Sequence, residues 1–591
     1  MLAMLPIIAC DAPERPPPDM LRLPEMPAQQ RQPTPTPTSS WTYKNKPTTK
    51  VETRALTVAP AAKAVTSGGD AAALPPVFPV DPKTASKGAD LQATQELLVP
   101  NGHGGVAPWR DGGGQRIFSM WTYGTIYQID KFGNLRPYIG ASHTVNEAKD
   151  EYIVKLRDDA VFQDGTPITA ADIKKYWEHG AKPENVVAWG GASLTLGDIK
   201  GWEELRAGDV TEAEGLEAID DHTLKVTTAI PFPTWPLSMA SWHSGLSKFD
   251  QIGTDEEWFT HPIGAGPYQW STDPDTKVWV SEADKGSFWG PSPTIKKVTG
   301  LNISDGQVKV IMFENGELDL MSIDSATYEA ALDPSHPFNP LLRVTPYGGL
   351  WFIKNKSDMA PLEDLLVRKS LAHGADMKSI VKAVWGVTED FATGLISPLI
   401  PCHNPDNPGH VYDPDLARQE LKTSSYGSAD NMPTLMVDLA RPLMVNMGVA
   451  VKEYWKDNLG IELDLLKRES GMPRREGSQF YRISLGSWIP DPIQIVSNLT
   501  RKDSIEALSN VPGGYPVMDA LVEHARSLPL DHPDRCAAFQ AVEEEYMDKV
   551  YFMPIRWVGG VKWVVQPWVV GFESTSNLDI NTQPWMYLLK H

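Results

Sequence analysis

The chain has 591 residues, with 54 basic and 75 acidic side chains and a formal charge of −21. That length exceeds what one hydrophobic core supports, so two or three domains are expected. The acidic balance argues against nucleic acid and anionic lipid as partners, and no run of about 18 apolar residues is present to cross a bilayer as a helix.

Composition is that of an ordinary globular chain, 41% hydrophobic and 22% charged. Its 20 tryptophans serve packing first, but Trp also lines pockets that grip varied ligands. Cys10, Cys402 and Cys536 are the only cysteines and make neither a metal cluster nor a disulfide framework. Cys402 and Cys536 can bridge, although two distant cysteines in a large protein are more often free.

In chain order, residues 1–9 (MLAMLPIIA) are apolar and precede Cys10. The arrangement resembles the end of a bacterial lipoprotein signal, with lipidation expected at Cys10; it lacks a basic leader, and a stray apolar start is the alternative. Residues 11–87 are rich in Pro and Thr, with PTPTPT at 33–38, and read as a disordered, partly polyproline tether. Ordered structure is expected from about Leu91, and residues 128–135 read as a hairpin.

Residues 152–157 mix β-branched, aromatic and charged residues, as strands do. Asp164-Gly165-Thr166-Pro167 is a turn by chemistry. Thr169 with Asp172 makes a capping-box-like helix start, and Ile173, Tyr176 and Trp177 then give one apolar face. Asp220-Asp221-His222 is a second turn, followed by an alternating strand at 223–227. Gly264-Ala265-Gly266-Pro267-Tyr268 carries two glycines, needed where the backbone turns sharply or approaches another surface closely. Leu366, Leu371, Ile380, Val381 and Val384 are expected as one buried helical stripe. Pro414 suits a first helical turn, and residues 518–546 read as a long helical region.

The block LRDDAVFQDGTPITAADI at 156–173 closely resembles the signature of the family-5 extracellular solute-binding proteins, the receptors of peptide, nickel and related ABC importers. Further blocks follow in the family's order: GAGPY at 264–268, FENGELDL at 313–320, PLEDLLVRKSL at 361–371, YDPDLAR at 412–418 and YFMPI at 551–555. The resemblance covers about residues 91–591, nearly all of the foldable chain.

The resemblance implies an α/β, two-lobed periplasmic-binding-protein type II fold with an extra subdomain on lobe I, of the cluster C type. Lobe I would take 88–124, 222–305 and 552–591, the extra subdomain 125–221, and lobe II 306–551. Crossings near 305 and 551 would act as hinges, because few dihedrals must change to close a cleft.

In peptide-binding relatives the ligand's main chain pairs with protein strands, and the Asp of a "W..D" motif holds its α-ammonium. Trp488-Ile489-Pro490-Asp491 fits that spacing. Asp491 would then make a charge-assisted hydrogen bond, while Ser487 and Ile489 would offer backbone groups. A ligand-carboxylate Arg of some relatives aligns with Leu485, so that contact is missing. Without a ligand, Asp491 is a turn residue and Trp488 a core residue. Trp189 lies where relatives place a cleft aromatic. Tyr123, Trp242 and Trp385 are cleft candidates by position alone, with core packing as the competing reading.

No catalytic constellation, Walker loop or metal signature is present. The expected function is capture of short peptides outside the cytoplasm and delivery to an ABC permease, by a monomer anchored through Cys10, with no cofactor, metal or chemistry on the ligand. The same fold holding an oligosaccharide, opine, haem or nickel chelate is the alternative. A hydrolase or sensor on this scaffold is a third.

Overall fold

The computed structural model describes residues 91–590 except 101–120, 130–134, 186–195, 242–243, 249–260, 274, 284–287, 291–292, 346–347, 387–389, 440–441, 468–476, 486–490, 501–515 and 573–585. Cys10, the tether, Trp189, Trp242, Ser487, Trp488 and Ile489 lie outside the described residues.

The signature stretch folds as its chemistry dictates. Glu151–Leu156 is a strand, and Asp164 Oδ1 closes the turn by accepting from Thr166 N at 3.0 Å. Helix Ala170–Ala181 begins with a reciprocal capping box: Asp172 N donates to Thr169 Oγ1 at 3.2 Å, and Thr169 N to Asp172 Oδ2 at 2.9 Å. Ile173, Tyr176 and Trp177 are buried together. The helix packs on an antiparallel sheet ordered Gly140–Val145, Glu151–Leu156, Thr223–Thr227, Leu216–Asp220. Tyr127–Ile129 pairs antiparallel with Leu135–Pro137, the expected hairpin.

A second four-stranded sheet joins distant parts of the chain. Glu96–Val99 runs parallel to Lys297–Gly300, and Trp279–Ala283 and Tyr268–Thr272 complete it. The largest sheet has five strands in the order Leu463–Lys467, Leu435–Leu439, Phe480–Leu485, Gly349–Asn355, Phe552–Val558. Its residues alternate between two cores. Leu350, Phe352, Phe552 and Trp557 join the large core shared with the first sheets. Ile353, Met553 and Ile555 join a second core with helices Leu365–His373, Met377–Trp385 and Pro442–Leu459. A sheet covered on both faces needs apolar residues of both parities.

Two sequence expectations change. The stripe across 366–384 is two helices, because Gly374-Ala375-Asp376 interrupts it and Asp376 caps the second. The interruption resets the phase, so Val367, Leu371, Ile380 and Val381 are buried, while Leu366 and Val384 are half-buried. Residues 518–546 form two helices, Pro516–Ser527 and Arg535–Asp548, not one region. Phe552, where the last segment of lobe I is expected to begin, is the first residue of a strand in the five-stranded sheet. The chain leaves that sheet after Val558, through Gly559-Gly560, into Val561–Val565, which pairs with Leu320–Ser322 and Leu342–Thr345.

Asp319, from the FENGELDL block, ties this return path to the first strand. Its Oδ2 accepts from Leu98 N and its Oδ1 from Trp568 Nε1, both at 2.7 Å. Gln566 N donates to the Asp319 carbonyl at 2.8 Å. A buried carboxylate with several donors is a stable knot. Among the described residues no helix is long and apolar enough to cross a membrane.

Candidate functional site

Two built regions carry the sequence-selected residues. The first surrounds Gln163, within the signature block and 5% exposed. Its Nε2 donates to the carbonyls of Thr122 (3.1 Å), Gly266 (3.0 Å) and Tyr268 (2.6 Å), and its Oε1 accepts from Gly264 N at 3.0 Å. Thus one amide joins the signature turn, residues 121–123 and the GAGPY block. The glycines are explained by proximity. A Cβ on Gly264 would lie 1.9 Å from the Thr122 carbonyl oxygen, and one on Gly266 2.0 Å from that of Trp121. Tyr123 sits inside this knot, 1% exposed, with its phenol pushed well above the usual range by burial. It is a core residue here, not a cleft aromatic, because the close approach of 264–266 covers it.

The second region lies at one end of the five-stranded sheet. Register places Leu485 opposite Leu350, Trp351 opposite both Ser484 and Arg556, and Gly349 opposite Val558. Leu485 is the last residue of its strand at this end. The Arg556 guanidinium lies 4.3 Å over the half-buried Trp351 ring and 5.5 Å from that of Trp385. Trp385 is 5% exposed and meets Trp351 edge-on at 6.0 Å. Its role is the back of an aromatic–arginine stack, since Arg556 and Trp351 cover it. On the other face, Trp557 meets His403 edge-on, and His403 Nδ1 donates to the Ile396 carbonyl at 2.6 Å.

Asp491 follows directly. It is 3% exposed and makes an Asx turn into helix Ile493–Thr500, with Oδ1 accepting from Ile493 N at 2.9 Å. Arg535 Nη2 donates to both Asp491 oxygens at 2.9 Å. Removing one member of such a buried pair leaves a charge without water or partner, a loss of about 3–5 kcal/mol.

Arg535 opens the helix Arg535–Asp548, and the next residue, Cys536, is bonded to Cys402. Of the two readings that the sequence leaves open for these cysteines, the fold takes the bridge, bringing the two Cα atoms within 4.7 Å across 134 residues. The same helix holds the 392–409 loop twice more. Gln540 Nε2 donates to the Cys402 carbonyl at 3.2 Å, and the Glu543 carboxylate accepts from Leu395 N (2.6 Å) and Ile396 N (2.9 Å). Cys536, Gln540 and Glu543 recur at helical spacing, so one face staples one loop. Burial pushes the Glu543 carboxyl up, and its hydrogen bonds oppose this.

Sequence reasoning selected Asp491 but not Arg535, Arg556 or Gln163. Arg556 adjoins the YFMPI block and Gln163 lies within the signature, so proximity to a motif was the available signal. Arg535 carries none, because its partner is 44 residues away. Among the described residues no group of three or more His, Cys, Asp or Glu is placed to hold a metal.

Solved proteins share this architecture. The murein tripeptide binding protein MppA of Escherichia coli aligns with a TM-score of 0.72 at 20% identity, covering 85% of this chain and 100% of that one. Haemophilus influenzae OppA, solved in complex with RPPGFSPFR, gives 0.72 at 19% identity, with 85% and 100% covered. The fold is therefore the two-lobed α/β type II fold of periplasmic binding proteins.

By sequence, the chain is 24% identical over 484 residues to the periplasmic oligopeptide-binding protein OppA of Escherichia coli K12, covering 78% of this chain and 86% of that one. The profile for bacterial extracellular solute-binding proteins, family 5, middle part, matches residues 134–505. The chain belongs to that family, whose members bind solutes outside the cytoplasm.

Proposed function

We propose that this protein captures short peptides between its lobes and delivers them unaltered to an ABC permease. The observation that carries the reading is the family match, joined to relatives named for oligopeptides and murein peptides and to a related structure that holds a nonapeptide. The sheet end at Gly349–Trp351 and Arg556–Val558 suits the task. Capture of an extended ligand by main-chain pairing is largely blind to side chains. Trp351 offers a half-buried aromatic face held by Arg556 and Trp385. Ser487, Trp488, Ile489 and Trp189 stay ligand-lining candidates by family resemblance, and Trp242 by position alone. Lipidation at Cys10, with the Pro- and Thr-rich segment as tether, would hold a monomeric receptor at the membrane.

Native mass spectrometry of freshly purified full chain, followed by denaturation, tests the reading. Intact short peptides are expected. A sugar, opine, haem or nickel chelate recovered in their place would establish the other ligand class, and peptide turnover would overturn the binding role.

A further inference from the structure

Asp491 is the carboxylate that spacing selects for a ligand's α-ammonium, yet its acceptor capacity is largely taken inside the protein. Oδ1 accepts from Ile493 N and Arg535 Nη2, and Oδ2 accepts from Arg535 Nη2. Two carboxylate oxygens offer about four lone-pair sites, and three are filled. Both side chains are 4% exposed.

Nor is Arg535 poised to leave. Its Nη1 donates to the Leu528 carbonyl, and its guanidinium lies 4.9 Å from the Phe539 ring centroid. Its neighbour Cys536 is covalently bound to Cys402.

An incoming ammonium meets two unfavourable choices. As an additional partner it puts two cations on one buried anion and leaves net positive charge without water. As a replacement it leaves the guanidinium buried and unpaired.

We infer that Arg535 stands in for the ligand's cation at Asp491, so this protein recognises its ligand without the α-ammonium and accepts peptides with a blocked amino terminus as readily as free ones. The inference rests on the peptide reading above and narrows its substrate class. Arg535 is a positioning residue that acts through Asp491 on specificity.

The test incubates the full chain with two random tri- to pentapeptide pools, one with free and one with Nα-acetylated termini. Retained peptide is quantified after denaturation. Retention of the two pools within about threefold is expected, against the preference of tenfold or more that a charge-assisted contact would give. Arg535→Met should shift the ratio at least tenfold toward free amines, because Asp491 then lacks a cation. That ratio is independent of how much protein folds.

A wild-type preference of thirtyfold or more for free amines overturns the inference and leaves the peptide reading intact. So does an unchanged ratio in folded Arg535→Met. Retention of neither pool overturns the peptide reading and the inference with it.

Discussion

The knot around Gln163 and the corner around Arg535 solve the same problem, locking distant segments together, with different chemistry. Gln163 uses one neutral amide and two glycine approaches. Arg535 and its helix use an ion pair, a disulfide and a buried carboxylate. The neutral knot works by shape and by the hydrogen bonds of an amide that carries no charge. The charged corner depends on Asp491 and Arg535 staying paired, and His403 of its loop meets Trp557 at the sheet end where a ligand is expected. Such a corner can set specificity, whereas the knot only sets geometry.

Gly266→Ala should show the largest effect, because the new Cβ meets backbone that no side-chain rotation can relieve. A loss upwards of about 4 kcal/mol is expected, read as a fall in Tm. A variant as stable as the parent would show that the knot is loose and erase the contrast.

Asp491→Ala should cost about 3–4 kcal/mol by stranding Arg535. The double variant Asp491→Ala/Arg535→Met should recover much of that loss, since no unpaired charge remains. Equal losses for the single and double variants would mean that packing, not charge, holds the corner.

A pH titration of stability sharpens the comparison with the smallest effect. His410 is buried against His373, and burial followed by that neighbour lowers its pKa from 6.5 to about 4. Between these values the unfolded chain binds more protons than the folded one. Stability from His410 is thus complete above pH 6.5 and is lost as pH falls towards 4, by roughly 2–3 kcal/mol. Glu543, raised by burial, works in the opposite sense, its contribution declining as pH rises. His410→Gln should flatten the acid limb in chemical denaturation at pH 4–7, and an unaltered limb would remove His410 as its source.

Residues 151–181 show what the sequence by itself determined: strand, turn, capping box and buried face all depend on neighbours within a few positions. The glycines of GAGPY signalled a close approach, and the ordered blocks indicated the family. What only the tertiary structure decided is everything joined across long separations. It paired Asp491 with Arg535, bonded Cys402 to Cys536, put Arg556 against two tryptophans, and set Phe552–Val558 beside Gly349–Asn355 in the five-stranded sheet. The physical reason is reach. Capping and periodicity act over one or two helical turns, but a buried charge takes the partner that the folded chain brings to it, and no local pattern records which residue that will be.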